Sequence, residues 1–301
     1  MLFLWIATAL ATDVTVRQAS CPYGTGLVKI YELRSANNTG GYDSDLARYA
    51  TQGQFRTYAM STCPDTMFSL YGEDMGHTID PNKNAAITAA LAKVLTTIPD
   101  RTHPAVWDRY AIAAAMYRTL GEPPEIVGDV YLEASWTARD EAVGVYVGLE
   151  GPKAADEELK KGQAMLPTVD AADRKKLLFN LARIAERAGH AAARDRYLDL
   201  FAKETLDARD REALERFRGA TGEAEPRLQD LAIAEYKKAL AAGHLEGASE
   251  ARVQYLLADL LRRRGATAEA KALYEKVAAR TDTPADLAAM VGYLKSAPSV
   301  P

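Results

Sequence analysis

Residues 256–277 read LLADLLRRRGATAEAKALYEKV, and the fold is decided there. Leu257, Ala258 and Leu261 fall on one face at helical spacing. Gly265 interrupts the pattern, as glycine does just past a helix end. Ala270, Tyr274 and Val277 then build an apolar face on a second helix, and Pro284 follows it. Small residues at 258 and 270 let the two helices approach, and Tyr274 fills the groove beside them. The stretch predicts a helical hairpin.

The same order recurs toward the amino terminus. Leu178, Leu181, Ala182 and Ala185 precede Gly189, and Leu198 and Phe201 follow it. Tyr110, Ala113, Ala114 and Tyr117 precede Gly121, and Tyr131, Leu132 and Ala134 follow. Ala232, Tyr236 and Ala239 supply a second-helix face alone. The glycines are 68 and 76 residues apart, near twice the ~34 residues of a tetratricopeptide unit, which the hairpins resemble. Residues 101–301 contain 42 alanines with abundant Glu, Lys, Arg and Leu, all good helix formers. The expected fold is therefore mainly α. Residues 84–295 form a TPR-like helical domain, an α-solenoid, with a non-repeating bundle as the alternative, and 296–301 are a frayed tail.

The first hundred residues differ, carrying only 16 of the 78 Lys, Arg, Asp and Glu. Thr, Tyr, Gly and Asn replace them, which predicts a small β-containing module over 12–80. Leu27–Leu33 and Phe55–Met60 read as strands, and 37–41 as a turn. Cys21-Pro22-Tyr23-Gly24 and Cys63-Pro64-Asp65-Thr66 look like the two knuckles of a zinc ribbon. A working ribbon needs four thiolates, and Gly24 and Thr66 stand where two would be, so the module reads as degenerate and no metal is expected. Asp43 and Asp45 read as a solvated loop capping a helix at Leu46–Ala50, with cation ligation as a second reading.

Leu2 to Ala9 is an apolar run, and Ala9-Leu10-Ala11 has the small-x-small form of a processing site. Residues 1–11 thus read as a signal peptide without its basic start, or as a buried first strand. Export places the chain in the periplasm or outside the cell, and retention in the cytoplasm is the alternative. In an oxidising space Cys21 and Cys63 close a disulfide loop of 42 residues, worth roughly 4 kcal/mol. In a reducing space they are two thiols. A net charge of −4 gives no field for nucleic acid, and no 18-residue apolar run exists to span a membrane after processing.

Several of these segments together resemble a bacterial family of unknown function. They are Cys21-Pro22, Asp43-x-Asp45, Tyr58 ahead of Cys63-Pro64, the block Tyr131 to Trp136, and Leu256 to Gly265. That family pairs an amino-terminal double Cys-Pro-x-Cys segment with TPR-like helices, and this chain keeps two of the four cysteines. The resemblance implies an architecture and no activity.

Catalytic signatures are absent from the sequence: no phosphate loop, no Gly-x-Ser-x-Gly, no His-Glu-x-x-His. The leading expectation is a non-catalytic scaffold that binds a protein or peptide partner in a helical groove without a cofactor. Arg183, Arg187, Gln254 and Asp259 are its candidate partner-binding residues. The second class is an enzyme or accessory subunit with a site at the module–helix junction, drawing on Asp74, His77, Asp80 and His103. Arg262, Arg263 and Arg264 read as a solvated helix end, and Trp107 and Trp136 as core.

Overall fold

The computed structural model describes residues 12–144 and 146–296 and is mainly helical, with a few short strands. The expected signal peptide at 1–11 and all but the first residue of the tail expected at 296–301 lie outside the described residues, and Ser296 ends a helix. Strands β1 (Asp13–Ser20) and β2 (Leu27–Ser35) pair antiparallel in one ribbon. The two Cys-Pro knuckles share a turn: Cys21 N–H donates to Gly26 O at 2.9 Å, and Cys63 N–H to Phe68 O at 2.8 Å. A Cys21–Cys63 disulfide joins them, with Cα atoms 5.7 Å apart. Thr66 Oγ1 also donates to the Tyr23 carbonyl at 2.8 Å, so the residue standing at a ribbon's thiolate position ties one knuckle to the other.

Four short elements follow: β3 (Gly41–Tyr42), α1 (Arg56–Ala59), β4 (Met60–Thr62) and β5 (Ser69–Tyr71). Two expectations are corrected here. Residues 56–59 make a helical turn and not a strand, because Thr57 Oγ1 and Ala59 N–H bond back to the Gln54 and Phe55 carbonyls at 2.7 and 3.1 Å. No helix forms at 46–50, where Leu46 turns the chain with a φ of 70°.

The helices are α2 (Asn84–Leu95), α3 (Val106–Leu120), α4 (Pro124–Val143), α5 (Gly151–Met165), α6 (Ala171–Ala188) and α7 (Ala191–Phe201). They continue as α8 (Ala208–Gly219), α9 (Glu225–Ala242), α10 (Gly247–Arg263), α11 (Thr267–Ala279) and α12 (Ala285–Ser296). A two-residue strand, β6 (Leu149–Glu150), precedes α5 and pairs in parallel with β3. The hairpins α3/α4, α6/α7 and α10/α11 turn at Gly121, Gly189 and Gly265, all left-handed at φ 97°, 74° and 79°.

Stacking of sequence neighbours does not describe the whole packing. Helix α4 lies along α9, passing over the intervening helices, and α12 reaches α5. A Cβ on Gly128 would sit 2.7 Å from the Tyr236 ring, so the bare glycine lets α4 and α9 close. Buried Asp156 on α5 accepts from Tyr293 Oη of α12 and approaches His190 Nε2, each at 2.6 Å. Two apolar cores result: one joins the module with α2–α4 and α9–α12, the other unites α5–α8.

Replacing both cysteines with alanine should cost about 2–4 kcal/mol, read as a lower urea midpoint with a slope equal or steeper, since the freed unfolded chain exposes more surface. An unmoved midpoint would show that the knuckles hold without the bond.

Candidate functional site

Between the two cores lies a layer of buried charge. Residues 40–49 fold into a tight loop, closed by Gly40 N–H to Tyr49 O at 3.0 Å and Tyr49 N–H to Gly41 O at 2.9 Å. The loop carries Asp43, Ser44 and Asp45 into the interior, each 2 % exposed or less. There Asp43, Asp45, Glu186, Glu225 and Asp259 face Arg139, Arg187, Arg194, Arg262 and Arg263, one guanidinium for each carboxyl.

Arg139 of α4 is the hub, at 1 % exposure. Its Nη1 donates to Asp43 at 2.7 Å, its Nη2 to Asp45 and Glu225 at 2.6 Å each, and its Nε to Glu225 at 3.1 Å. The planar fork of arginine suits such multiple pairing, where a lysine would offer a single point. Arg187 of α6 donates to Asp43 at 2.7 Å and covers the Tyr49 ring, while Arg56 covers the same ring from α1. Asp259 of α10 accepts from Ser44, Arg262, Arg263 and Tyr274 at 2.9–3.0 Å.

Burial raises the carboxyl of Asp45, yet Arg139 and Arg263 outweigh it and hold the group well below the usual carboxylate range. Asp259 is lowered in the same way by Arg262 and Arg263. Glu225 goes the other way: burial, with Glu186 adding repulsion, pushes it up to about 8 in spite of Arg139. Its Oε1 takes both Arg139 bonds and the Gln229 amide, while its Oε2 has no hydrogen-bond partner and has room for a proton.

The residues expected to bind a partner do not come together. Arg187 and Asp259, at 2 % and 0 % exposure, belong to the interior layer, beyond the reach of a molecule on the surface. Arg183 is half-buried, donating to Gly144 O at 3.1 Å, and Gln254 is half-buried beside Glu250 on α10. Asp74, His77, Asp80 and His103 do not assemble either: His77 pairs with Asp74 at 3.7 Å, His103 with Asp100 at 3.7 Å, and Asp80 caps a short turn. Among the described residues no group of three or more His, Cys, Asp or Glu is placed to hold a metal ion. Asp43 and Asp45 are neither solvated nor cation ligands, because guanidinium groups already occupy them. Arg262 and Arg263 are likewise drawn into the layer, and only Arg264 stays outside, against Asp230.

Reasoning from sequence missed Arg139. Its signal was its register, since Gly128, Leu132, Ser135 and Arg139 fall on one stripe of α4, and a charge on an inward stripe demands partners.

One large cleft, about 890 Å³, opens beside the layer. The loop that sends Asp43 and Asp45 inward presents Tyr42, Leu46 and Arg48 to it. Trp136 of α4 and the amino-terminal parts of α5, α10 and α12 complete the walls, with Tyr293 further along α12. None of the eight residues named from sequence lines it. Comparison with family models, with curated proteins and with solved structures finds no match. What the cleft can hold is therefore read from its own geometry.

Two outcomes follow from the layer. R139M strands the buried carboxylates and should cost about 3–5 kcal/mol in urea unfolding; a loss under ~1 kcal/mol would mean the layer rearranges freely. Glu225 keeps a proton in the folded state between its ordinary 4.5 and about 8, where the unfolded chain has lost it. Its contribution to stability therefore falls as pH rises through that window, whereas those of Asp45 and Asp259 are lost on acidification below their ordinary 3.8. Thermal melts of E225Q should lack the decline seen in the parent between about pH 5 and 8.

Proposed function

We propose that this chain is a non-catalytic binding protein whose TPR-like helical frame holds a protein or peptide partner, and that it works in the bacterial cell envelope. The observation that carries the reading is the 890 Å³ cleft, together with the way its walls are fixed. That volume lies toward the upper end of the ~300–1,000 Å³ of ordinary ligand sites and is large enough for a short segment of chain.

Its lining mixes aromatic rings, apolar residues and charges of both signs: Tyr42, Trp136 and Met290 beside Arg48, Glu150 and Asp286. Such a surface suits a peptide, which presents apolar side chains, charges and main-chain polar groups together. The walls are pre-organised. Tyr42 and Leu46 flank the buried aspartates, and Tyr293 is anchored through Asp156, so little ordering remains to be done on binding.

The envelope location draws on the Cys21–Cys63 disulfide, a bond that persists in oxidising compartments. Among the described residues no helix is long and apolar enough to cross a membrane, which leaves the envelope reading with a protein outside the bilayer core. The likeness to the bacterial family with paired Cys-Pro segments is part of the same proposal.

The test fills the cleft. Peptides selected by display on the parent protein should bind A248W and A289W at least about tenfold more weakly, with melting temperatures unchanged, since Ala248 and Ala289 are exposed on its lining. Peptides that bind the filled variants as well as the parent would place recognition elsewhere.

A further inference from the structure

A second cavity, about 540 Å³, lies at the junction of module and helices, away from the large cleft. The Thr62–Met67 knuckle forms one side, and the segment leading into α3 the other, with Arg101, Pro104 and Arg109. Its charge is of one sign. Two guanidinium groups line it and no carboxylate does.

Neither arginine is engaged by a carboxylate at ion-pair distance. No ion pair among the described residues includes Arg101 or Arg109. Arg101 is exposed and spends only its Nε, on the Leu95 carbonyl at 3.1 Å. Arg109 is half-buried on α3, and its Nε is fully shielded from solvent with no acceptor at all. Glu141 on α4 feels the charge of Arg109, but its Oε1 is taken by the Val106 N–H at 3.3 Å. Asp100 is spent on the backbone N–H groups of Thr102 and His103.

Among the described residues the Nη groups of Arg101 and Arg109 make no hydrogen bond, and these are the donors that an acceptor in the cavity can meet. A guanidinium pairs best with a planar or tetrahedral oxyanion, which takes two parallel N–H bonds at once. Pro64, Met67 and Pro104 add an apolar wall suited to the organic body of such a ligand. We propose that this cavity is a binding site for a small organic oxyanion, a phosphate monoester or a carboxylate, gripped by Arg109 and Arg101. The site is separate from the partner cleft, so either can fail without the other.

The experiment is calorimetric titration of the full chain with phenyl phosphate, benzoate, inorganic phosphate and benzyl alcohol. Phenyl phosphate or benzoate should bind, raise the melting temperature, and weaken at higher salt. R109Q should lower that affinity at least tenfold and R101Q by a smaller factor, while K203Q, at an exposed lysine beyond α7, leaves it unchanged. The two anions compared with each other tell a phosphate ligand from a carboxylate. Inorganic phosphate binding as tightly as phenyl phosphate would overturn the organic body. Benzyl alcohol binding equally would overturn recognition of charge, and no binding by either organic anion, or full binding in R109Q, would overturn the site.

Discussion

A guanidinium cannot be taken out of water alone, and Arg139 is taken out of water almost completely. Much of the architecture answers that constraint. The loop at 40–49 supplies two aspartates, α9 supplies Glu225, and the approach of α6, α7 and α10 supplies the other arginines, Arg187, Arg194, Arg262 and Arg263. Apolar area alone would let the two cores slide or rotate against each other, since it is proportional to surface and carries little direction. Ion pairs with fixed forks admit one alignment. A layer of this kind adds little net stability over an apolar one, and its contribution here is orientation.

The helical half of the fold was legible because its signals are local. Gly121, Gly189 and Gly265 each end a helix in the left-handed conformation, and the Ala, Leu and Tyr stripes beside them are buried as their spacing implies. Charged residues were read least well. Asp43, Asp45, Arg262 and Arg263 look like solvated loop and helix-end residues when their neighbours in sequence are the only guide. Arg262 and Arg263 reach Asp259 within one turn, but the remaining partners lie far along the chain: Arg139 meets Asp43 across 96 residues and Arg263 meets Ser44 across 219. The candidate site was hidden for the same reason. Its walls come from four helices and from one face of a loop, positions that no single motif marks.

That loop has two faces, and the turn at 43–46, closed by Leu46 N–H on the Asp43 carbonyl at 3.1 Å, produces them. Residues 43 and 45 point into the charge layer, whereas 42, 46 and 48 border the cleft. Gly41 makes the arrangement fit, since a Cβ there would fall 2.0 Å from the Leu149 carbonyl of the neighbouring strand. The shape of the cleft is therefore set by the same few residues that settle the interior electrostatics, and a change in one reaches the other through a single turn of chain.

The long reach of these pairs also orders events in time. Asp43 and Asp45 leave the ribosome before α4, α6, α9 or α10 exists, and until those helices arrive both carboxylates stay in water. The ring of contacts can close only when α10 has been made, more than two hundred residues later, as Ser44 to Arg263 spans 219. Contacts of such separation form slowly, because the closure entropy of the intervening chain must be met first. A chain shortened before α10 would keep Arg139 with Asp43, Asp45 and Glu225, and would lose the Asp259 and Arg263 side of the layer. Synthesis thus passes through a long interval in which local helices form freely while one side of the charge layer is still missing.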